Sequence, residues 1–373
     1  MSESPEPHTP KPRRLMFIDL ARAVAILMML QGHFIDMTLA DAYRHNPFHT
    51  FWQHFRGLAA PMFFASTGLI FVYLLSGNAT GPFFSLTRVR KGFVRSAELL
   101  FWGYLLQINL LRLPEYFRTG PDHWLTAFHV LQCIAVGILL LMGVFAVHRL
   151  LPKIPLPFWY VAAGLGLSLG HVVLFNLPGG SWFPRGAPEV IQNIFKGPLS
   201  IFPITPWLIF TMYGAALGAW VRLDPEKVRT FGPWLILAGF ALKYSGVFID
   251  RGIALLAGAI SGNRLAPEHW IHDRCGEILA ALGLLIFIDR RFKLRDSWFL
   301  EIGRNTLAVY VVHVVLLYNG FFGIGLRTWW EKALNPWQAA IGAVVFMAGF
   351  GVFAVWVGKF TNWRKAGNRM SPT

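Results

Sequence analysis

The sequence is poor in charge and almost free of cysteine. Only 14% of its 373 residues are Asp, Glu, Lys or Arg, where a soluble globular chain carries about a quarter. That shortage argues against a domain with a fully solvated surface. The two cysteines, Cys133 and Cys275, fall in or beside apolar sequence and can build neither a disulfide framework nor a zinc site. Acidic residues are scarcer still, 19 against 34 Lys and Arg, for a net charge of +15. The basic residues are spread through short loops and form no single stripe, so nucleic acid is not an expected partner. No short apolar region with a small-residue cleavage site precedes the first hydrophobic stretch, which is therefore expected to stay as an uncleaved anchor.

What the chain has in abundance is hydrocarbon: 55% of its residues are hydrophobic. They come in blocks of about 20, separated by short basic or Pro/Gly-rich breaks, the length a bilayer demands. The expected fold is all-α, a polytopic transmembrane helical bundle of about ten spans. The expected spans are 15–39, 57–76, 93–111, 125–147, 157–176, 203–221, 232–258, 272–289, 302–320 and 337–358. Residues 1–14 read as a disordered tail, 15–358 as one membrane-embedded domain and 359–373 as a basic tail. Lys and Arg favour alternate loops: the N-terminal tail, 76–95, 148–156, 222–231, 290–298 and the C-terminal tail. By the positive-inside rule both termini are expected to be cytoplasmic.

The stretch Arg14 to Phe34, RLMFIDLARAVAILMMLQGHF, organises the rest. Asp19 and Arg22 stand three apart, so on a helix they share a face and can neutralise each other. His33 lies fourteen residues beyond Asp19, about 21 Å along a helix axis. A spanning helix would thus hold the charged pair near one surface and the imidazole near the other, and such groups need partners or a task. Histidines also gather at the side where Lys and Arg are sparse: His45, His49, His54, His123, His129, His171, His269 and His272.

Four further places stand out. Pro61 lies inside apolar sequence, where it is expected to kink the second span, with Ser66, Thr67 and Gly68 below it. Segment 177–206 is long and aromatic enough for a lid or re-entrant plug over a cavity. Gly214 to Gly218 form a GxxxG contact face for helix packing. In the ninth span Arg304 and Asn305 lie at the inner end and His313 mid-membrane, where it reads first as a hydrogen-bonded core residue and second as a functional one.

Several of these stretches resemble one family. RLMFIDLARAVAILMMLQGHF is similar to the RL-x3-D-x2-RG-…-H opening helix of bacterial polytopic membrane acyltransferases. These are related to heparan-α-glucosaminide N-acetyltransferase and, more distantly, to the acyltransferase-3 superfamily. GLAAPMFFASTG, VLQCIAVGILLL, FPITPWLIFTMYGAALG and IGRNTLAVYVVH extend the resemblance in order over roughly residues 13–320. The chain departs from the pattern at Arg22-Ala23, where the family has Arg-Gly, and at His129, where an acidic residue often stands. His49-Thr50-Phe51-Trp52 is the best local match to an H-x-x-W setting of the family's active histidine. His45 and His54 stay open as alternatives.

The resemblance implies a multi-pass enzyme of the inner (cytoplasmic) membrane. It would take an acyl group, acetyl first among the choices, from cytoplasmic acetyl-CoA or another acyl-CoA. The acceptor would be a hydroxyl or amine of an extracytoplasmic glycan or sugar. Acyl-CoA is then a co-substrate, the lipid bilayer a partner, and no metal is expected. His33, His49 and His54 are the candidate bases, since imidazole, with a reference pKa near 6.5, suits proton removal from an attacking acceptor. Asp19, Arg22, Arg88, Arg90 and Arg304 are the candidate donor-binding residues, with Lys91, Arg95, Arg290, Arg291, Lys293 and Arg295 adding cations on the same expected face. The rival readings are a proton-coupled secondary transporter or flippase, and a non-catalytic membrane subunit.

Overall fold

A computed structural model describes residues 15–77, 80–120, 122–176, 187–225, 227–292, 297–318 and 321–370, except the side chains of Arg229 and of 364–370. The expected tail 1–14, Lys293 and Arg295 lie outside the described residues, as does 177–186 of the proposed lid. The described residues are all-helical and hold no β-strand. In chain order the helices are α1 (Met16–Thr38), α2 (Pro47–Arg56), α3 (Ala59–Leu75), α4 (Thr87–Leu105), α5 (Leu113–Thr119), α6 (Val130–Leu150), α7 (Leu156–Asn176) and α8 (Glu189–Phe195). Then come α9 (Ile204–Leu223), α10 (Val228–Ser261), α11 (Ile271–Phe292), α12 (Trp298–Arg304), α13 (Thr306–Leu317), α14 (Arg327–Trp330) and α15 (Pro336–Met370).

Seven segments among the described residues are long and apolar enough to cross a membrane, or eight if the bent pair α12 and α13 counts as one. The other two expected spans are α4 and α11, 19 and 22 residues long. Both have the length but carry charge: Arg88, Arg90, Lys91, Arg95 and Glu98 on α4, Asp273, Arg274, Glu277, Asp289, Arg290 and Arg291 on α11. The outer surface of the bundle is apolar. Phe240 and Phe248 on α10, and Val344 and Val352 on α15, are exposed, a surface water would penalise and lipid tails accept.

The helices pack where side chains are smallest. The GxxxG face of α9 lies on α3, and the approach is mutual. A Cβ at Gly214 would stand 2.0 Å from the Ala65 carbonyl oxygen, and one at Gly68 2.0 Å from that of Thr211. Backbone meets backbone there, so only hydrogen fits. Gly303 of α12 approaches α1 in the same way, its would-be Cβ 2.1 Å from the Asp19 carbonyl. The close contact at Arg22-Ala23 is thus supplied by a glycine on the partner helix.

Two local expectations change. Pro61 does not kink a span: α3 begins at Ala59, so the proline sits in the first turn, where its missing N–H has no intrahelical partner to lose. The ninth span is not continuous. It bends by 81° between α12 and α13, and at the break Asn305 Nδ2 donates to the carbonyls of Glu301, at 3.1 Å, and Ala354, at 3.0 Å. The second bond ties the break to α15.

Contacts along α1 give the bundle two ends. At one, Asp19 meets Arg304, and Asn305 reaches Ala354 in the later part of α15. At the other, the Lys332 and Leu334 amides donate to the Met37 and Thr38 carbonyls, at 2.9 Å each. The start of α1 and the later part of α15 therefore share one end.

Candidate functional site

A cavity of about 690 Å³ runs beside α1. One of its ends is cationic: Arg22 of α1, Arg95 of α4 and Arg304 of α12 line it with Thr306, the first residue of α13. The middle is apolar, with Phe63, Ile70, Leu99, Ile134 and Leu307 among its walls. Towards the other end stand His33 of α1 and Gln53, Arg56 and Gly57 around the end of α2, with Phe202 and Trp207. Because Arg22 and His33 are eleven residues apart on one helix, the two ends lie roughly 16 Å apart along its axis.

The cationic end is built by long-range pairing. Asp19, buried, receives Arg304 Nε at 3.3 Å, and Arg304 also donates to Glu301 at 2.6 Å. Arg22 turns instead to Thr306, donating to its hydroxyl at 2.8 Å. Asp19 and Arg22, which the sequence sets to neutralise each other, each also take a hydrogen-bond partner from the α12–α13 break. The Arg22 Nε is buried with no hydrogen-bond partner among the described residues. A buried, unmatched guanidinium donor in a cavity wall suits an anion or a strong oxygen acceptor. Arg95 pairs with Glu98 at 2.7 Å.

At the far end His33 Nδ1 stands 3.1 Å from His313 Nε2. His313, on α13, is fully buried, and Tyr310, a cavity-lining residue, packs against its ring at 5.0 Å. The mouth is braced by α2. Trp52 Nε1 donates to Gln31 at 2.9 Å, Arg56 pairs with Asp36 at 3.0 Å, and the Arg56 guanidinium lies 5.7 Å from the Trp52 ring centre. The Arg56 stem crosses α1 at Gly32, where a Cβ would come within 2.8 Å of it.

The other sequence candidates fall around this cavity rather than in it. His49 is buried on α2, its backbone N–H capped by Asn46 and its ring 5.2 Å from Trp52. Its Nε2 has no hydrogen-bond partner among the described residues. His54 is exposed and meets Glu277 at 3.1 Å, while Arg274 donates to its carbonyl. Arg88 and Arg90 are exposed near the start of α4, two turns before Arg95. Of the proposed lid, α8 and the chain after it are described. Residues 199–202 pair with the Phe128 backbone, and Phe202 reaches the cavity wall. Arg56, Thr306 and Trp207 enter the site without having been singled out for it. Trp207 and Thr306 lay in quoted motifs, but Arg56 is placed by tertiary contacts that local periodicity does not encode. Among the described residues no group of three or more His, Cys, Asp or Glu could hold a metal ion.

The family comparison says what kind of protein this is. The catalytic domain of heparan-alpha-glucosaminide N-acetyltransferase matches residues 14–243, well over half of the chain. The chain belongs to that family. No curated protein matches it. Heparan-alpha-glucosaminide N-acetyltransferase-type enzymes use acetyl-CoA as donor, and acetyltransferase activity in a membrane setting is what membership carries. The matched region covers α1 to α9 and the first half of α10, and so includes Arg22, His33, His49, Arg95 and Trp207. Arg304, Thr306 and His313 come from beyond it.

Proposed function

We propose that this chain is a ten-span membrane acetyltransferase with both termini cytoplasmic. It transfers an acetyl group from cytoplasmic acetyl-CoA to a sugar hydroxyl or amine on the other side, with His33 as general base. The observation that supports this best is one cavity with arginines at one end and an imidazole at the other. Arginine is fitted to anionic and carbonyl oxygens, and the N-terminal end of α13, at Thr306, adds the positive pole of a helix. Arg22 and Arg304 would hold the donor's inner portion, with Asp19 fixing Arg304. Arg88 and Arg90, on the same expected cytoplasmic face, would meet the nucleotide phosphates. The apolar middle excludes water from the thioester and strengthens every polar contact made there.

In the transfer, the acceptor's O–H or N–H proton passes to His33 as its lone pair attacks the acyl carbon. A C–O or C–N bond forms, the C–S bond breaks, and the proton held by His33 neutralises the departing thiolate. Proton counts balance with no other reactant. His49 and His54, on the helix that braces the mouth, would act on the acceptor side.

Transfer of labelled acetyl from acetyl-CoA in reconstituted vesicles tests this. His33→Ala should lower the rate by about 10²–10⁴-fold, the usual worth of a general base. A His33→Ala protein that keeps wild-type activity while His49→Ala loses it would move the base to α2. Activity surviving in both would end the histidine assignment.

A further inference from the structure

Resting on the reading of His33 as base, we infer that His313 is its positioning residue, holding His33 in the one tautomer that can accept a proton from the cavity. The two rings belong to α1 and α13, 280 residues apart, and meet nitrogen to nitrogen at 3.1 Å, with ring centres 5.2 Å apart. His33 lines the cavity, and with Nδ1 committed to His313 the nitrogen left for a substrate is Nε2. His313 is enclosed by Tyr310, 5.0 Å away, and Phe350, 6.5 Å away. His313 itself does not line the cavity; its cavity-lining neighbours are His33 and Tyr310.

A neutral imidazole carries one N–H and one lone pair, so a bond between two of them has two forms. In one, His33 Nδ1–H donates to the lone pair of His313 Nε2, leaving the lone pair of His33 Nε2 free for the cavity. In the other, His313 Nε2–H donates to His33 Nδ1, and His33 Nε2 carries a proton and is useless as a base. His313 therefore acts as an acceptor through Nε2 and carries its own proton on Nδ1. When His33 takes the acceptor's proton it becomes an imidazolium whose Nδ1–H bond to His313 is charge-assisted and stronger.

A carboxylate in the place of His313 would hold that proton firmly. A neutral ring orients His33 without trapping the charge, which leaves the proton free to pass to the departing thiolate. No strictly formed hydrogen bond holds the buried Nδ1 of His313 among the described residues, but the backbone carbonyls of Val309 and Tyr310, one turn back on α13, interact with the ring and are acceptors that suit a proton on that nitrogen.

Substitutions of equal polarity and different reach separate positioning from packing. In His313→Gln the side-chain amide reaches the height of Nε2 and can still accept from His33. In His313→Asn it stops near the height of Nδ1 and cannot. Both are purified in parallel with wild type, checked for folding by thermal unfolding, and assayed for acetyl transfer. The expected result is a kcat drop of roughly 10- to 100-fold for His313→Asn, less than the loss for His33→Ala. KM for acetyl-CoA should stay within about twofold, and His313→Gln should recover most of the rate, as a neighbour acting only through the base predicts. Nitrogen-15 spectra of His33 should show Nδ1 protonated in wild type and a tautomer mixture in His313→Asn.

Folded His313→Asn with wild-type kcat overturns the inference, as does equal loss in the Gln and Asn variants. If His33→Ala is itself fully active, the reading of the base fails instead, and that outcome is visible separately.

Discussion

His272 Nδ1 stands 2.5 Å from Asp250 Oδ1, and the other ring nitrogen of His272 meets the Tyr213 hydroxyl at 2.9 Å. This chain of three polar side chains, with Asp250 and His272 buried and Tyr213 half-buried, ties α9, α10 and α11 together; none of the three lines the cavity. It is not exposed to substrate, so its contribution is to the bundle. His272→Ala leaves the Asp250 carboxyl buried without its partner and should cost about 3 kcal/mol of stability. Thermal unfolding in detergent checks this, and a KM for acetyl-CoA unchanged in the surviving folded protein confirms that the site is separate.

The cationic end of the cavity predicts a graded effect of arginine loss. On the proposed function Arg22→Ala removes a half-buried guanidinium that would hold the donor, and it should raise KM for acetyl-CoA by roughly 10- to 100-fold, the worth of a charged hydrogen bond. The double change Arg88→Ala, Arg90→Ala strips exposed charges and should cost about threefold, an effect that fades in high salt. Titrations of acetyl-CoA at low and high ionic strength distinguish the two.

Helix contacts with hydrogen-only clearance predict opposite outcomes for the same substitution. Gly68→Ala sets a methyl against the Thr211 carbonyl of α9, a backbone atom that cannot rotate away, and should cost about 1–3 kcal/mol or more. At Gly143 on α6 a Cβ meets nothing within 4 Å. Gly143→Ala should therefore be neutral or stabilising by about 0.5–1 kcal/mol, the helix-propensity gain. Comparative unfolding temperatures decide.

Outside the bundle, pH should loosen one tether. Glu189 on α8 hydrogen-bonds His123 at 2.8 Å and holds the imidazole's pKa above its ordinary 6.5. A raised folded-state pKa means that the tether is fully present below about 6.5 and is lost as pH climbs through the folded value. Amides of α8 should exchange more slowly at pH 6 than at pH 8.5 after correction for intrinsic rates. Glu189→Gln should abolish the difference.

Much of the architecture is written in local pattern. Apolar blocks of bilayer length mark most of the spans, and GAALG names the face on which α9 meets α3. The first helix also declares its chemistry, because an acid, a base and an imidazole in hydrocarbon require a reason. What local pattern does not carry is which residue answers each of them. Asp19 finds Arg304, Arg22 finds Thr306 and His33 finds His313, all more than 270 positions away. The break at Asn305 is equally hidden. No proline marks it, and its Asn305 side chain is held by the carbonyl of Ala354, which only the folded bundle brings within reach. Pro61 misleads for the converse reason: its effect depends on where the helix starts, which a continuous apolar run conceals.

One chamber spanning from guanidinium groups to an imidazole also defines a ligand-design problem. A molecule joining a phosphorylated thiol arm to an amino sugar by a stable linker could occupy both halves at once. Its affinity would exceed that of either fragment, because the second half binds at the high effective concentration set by the first. Such a bisubstrate probe would report on the chamber's continuity without any turnover.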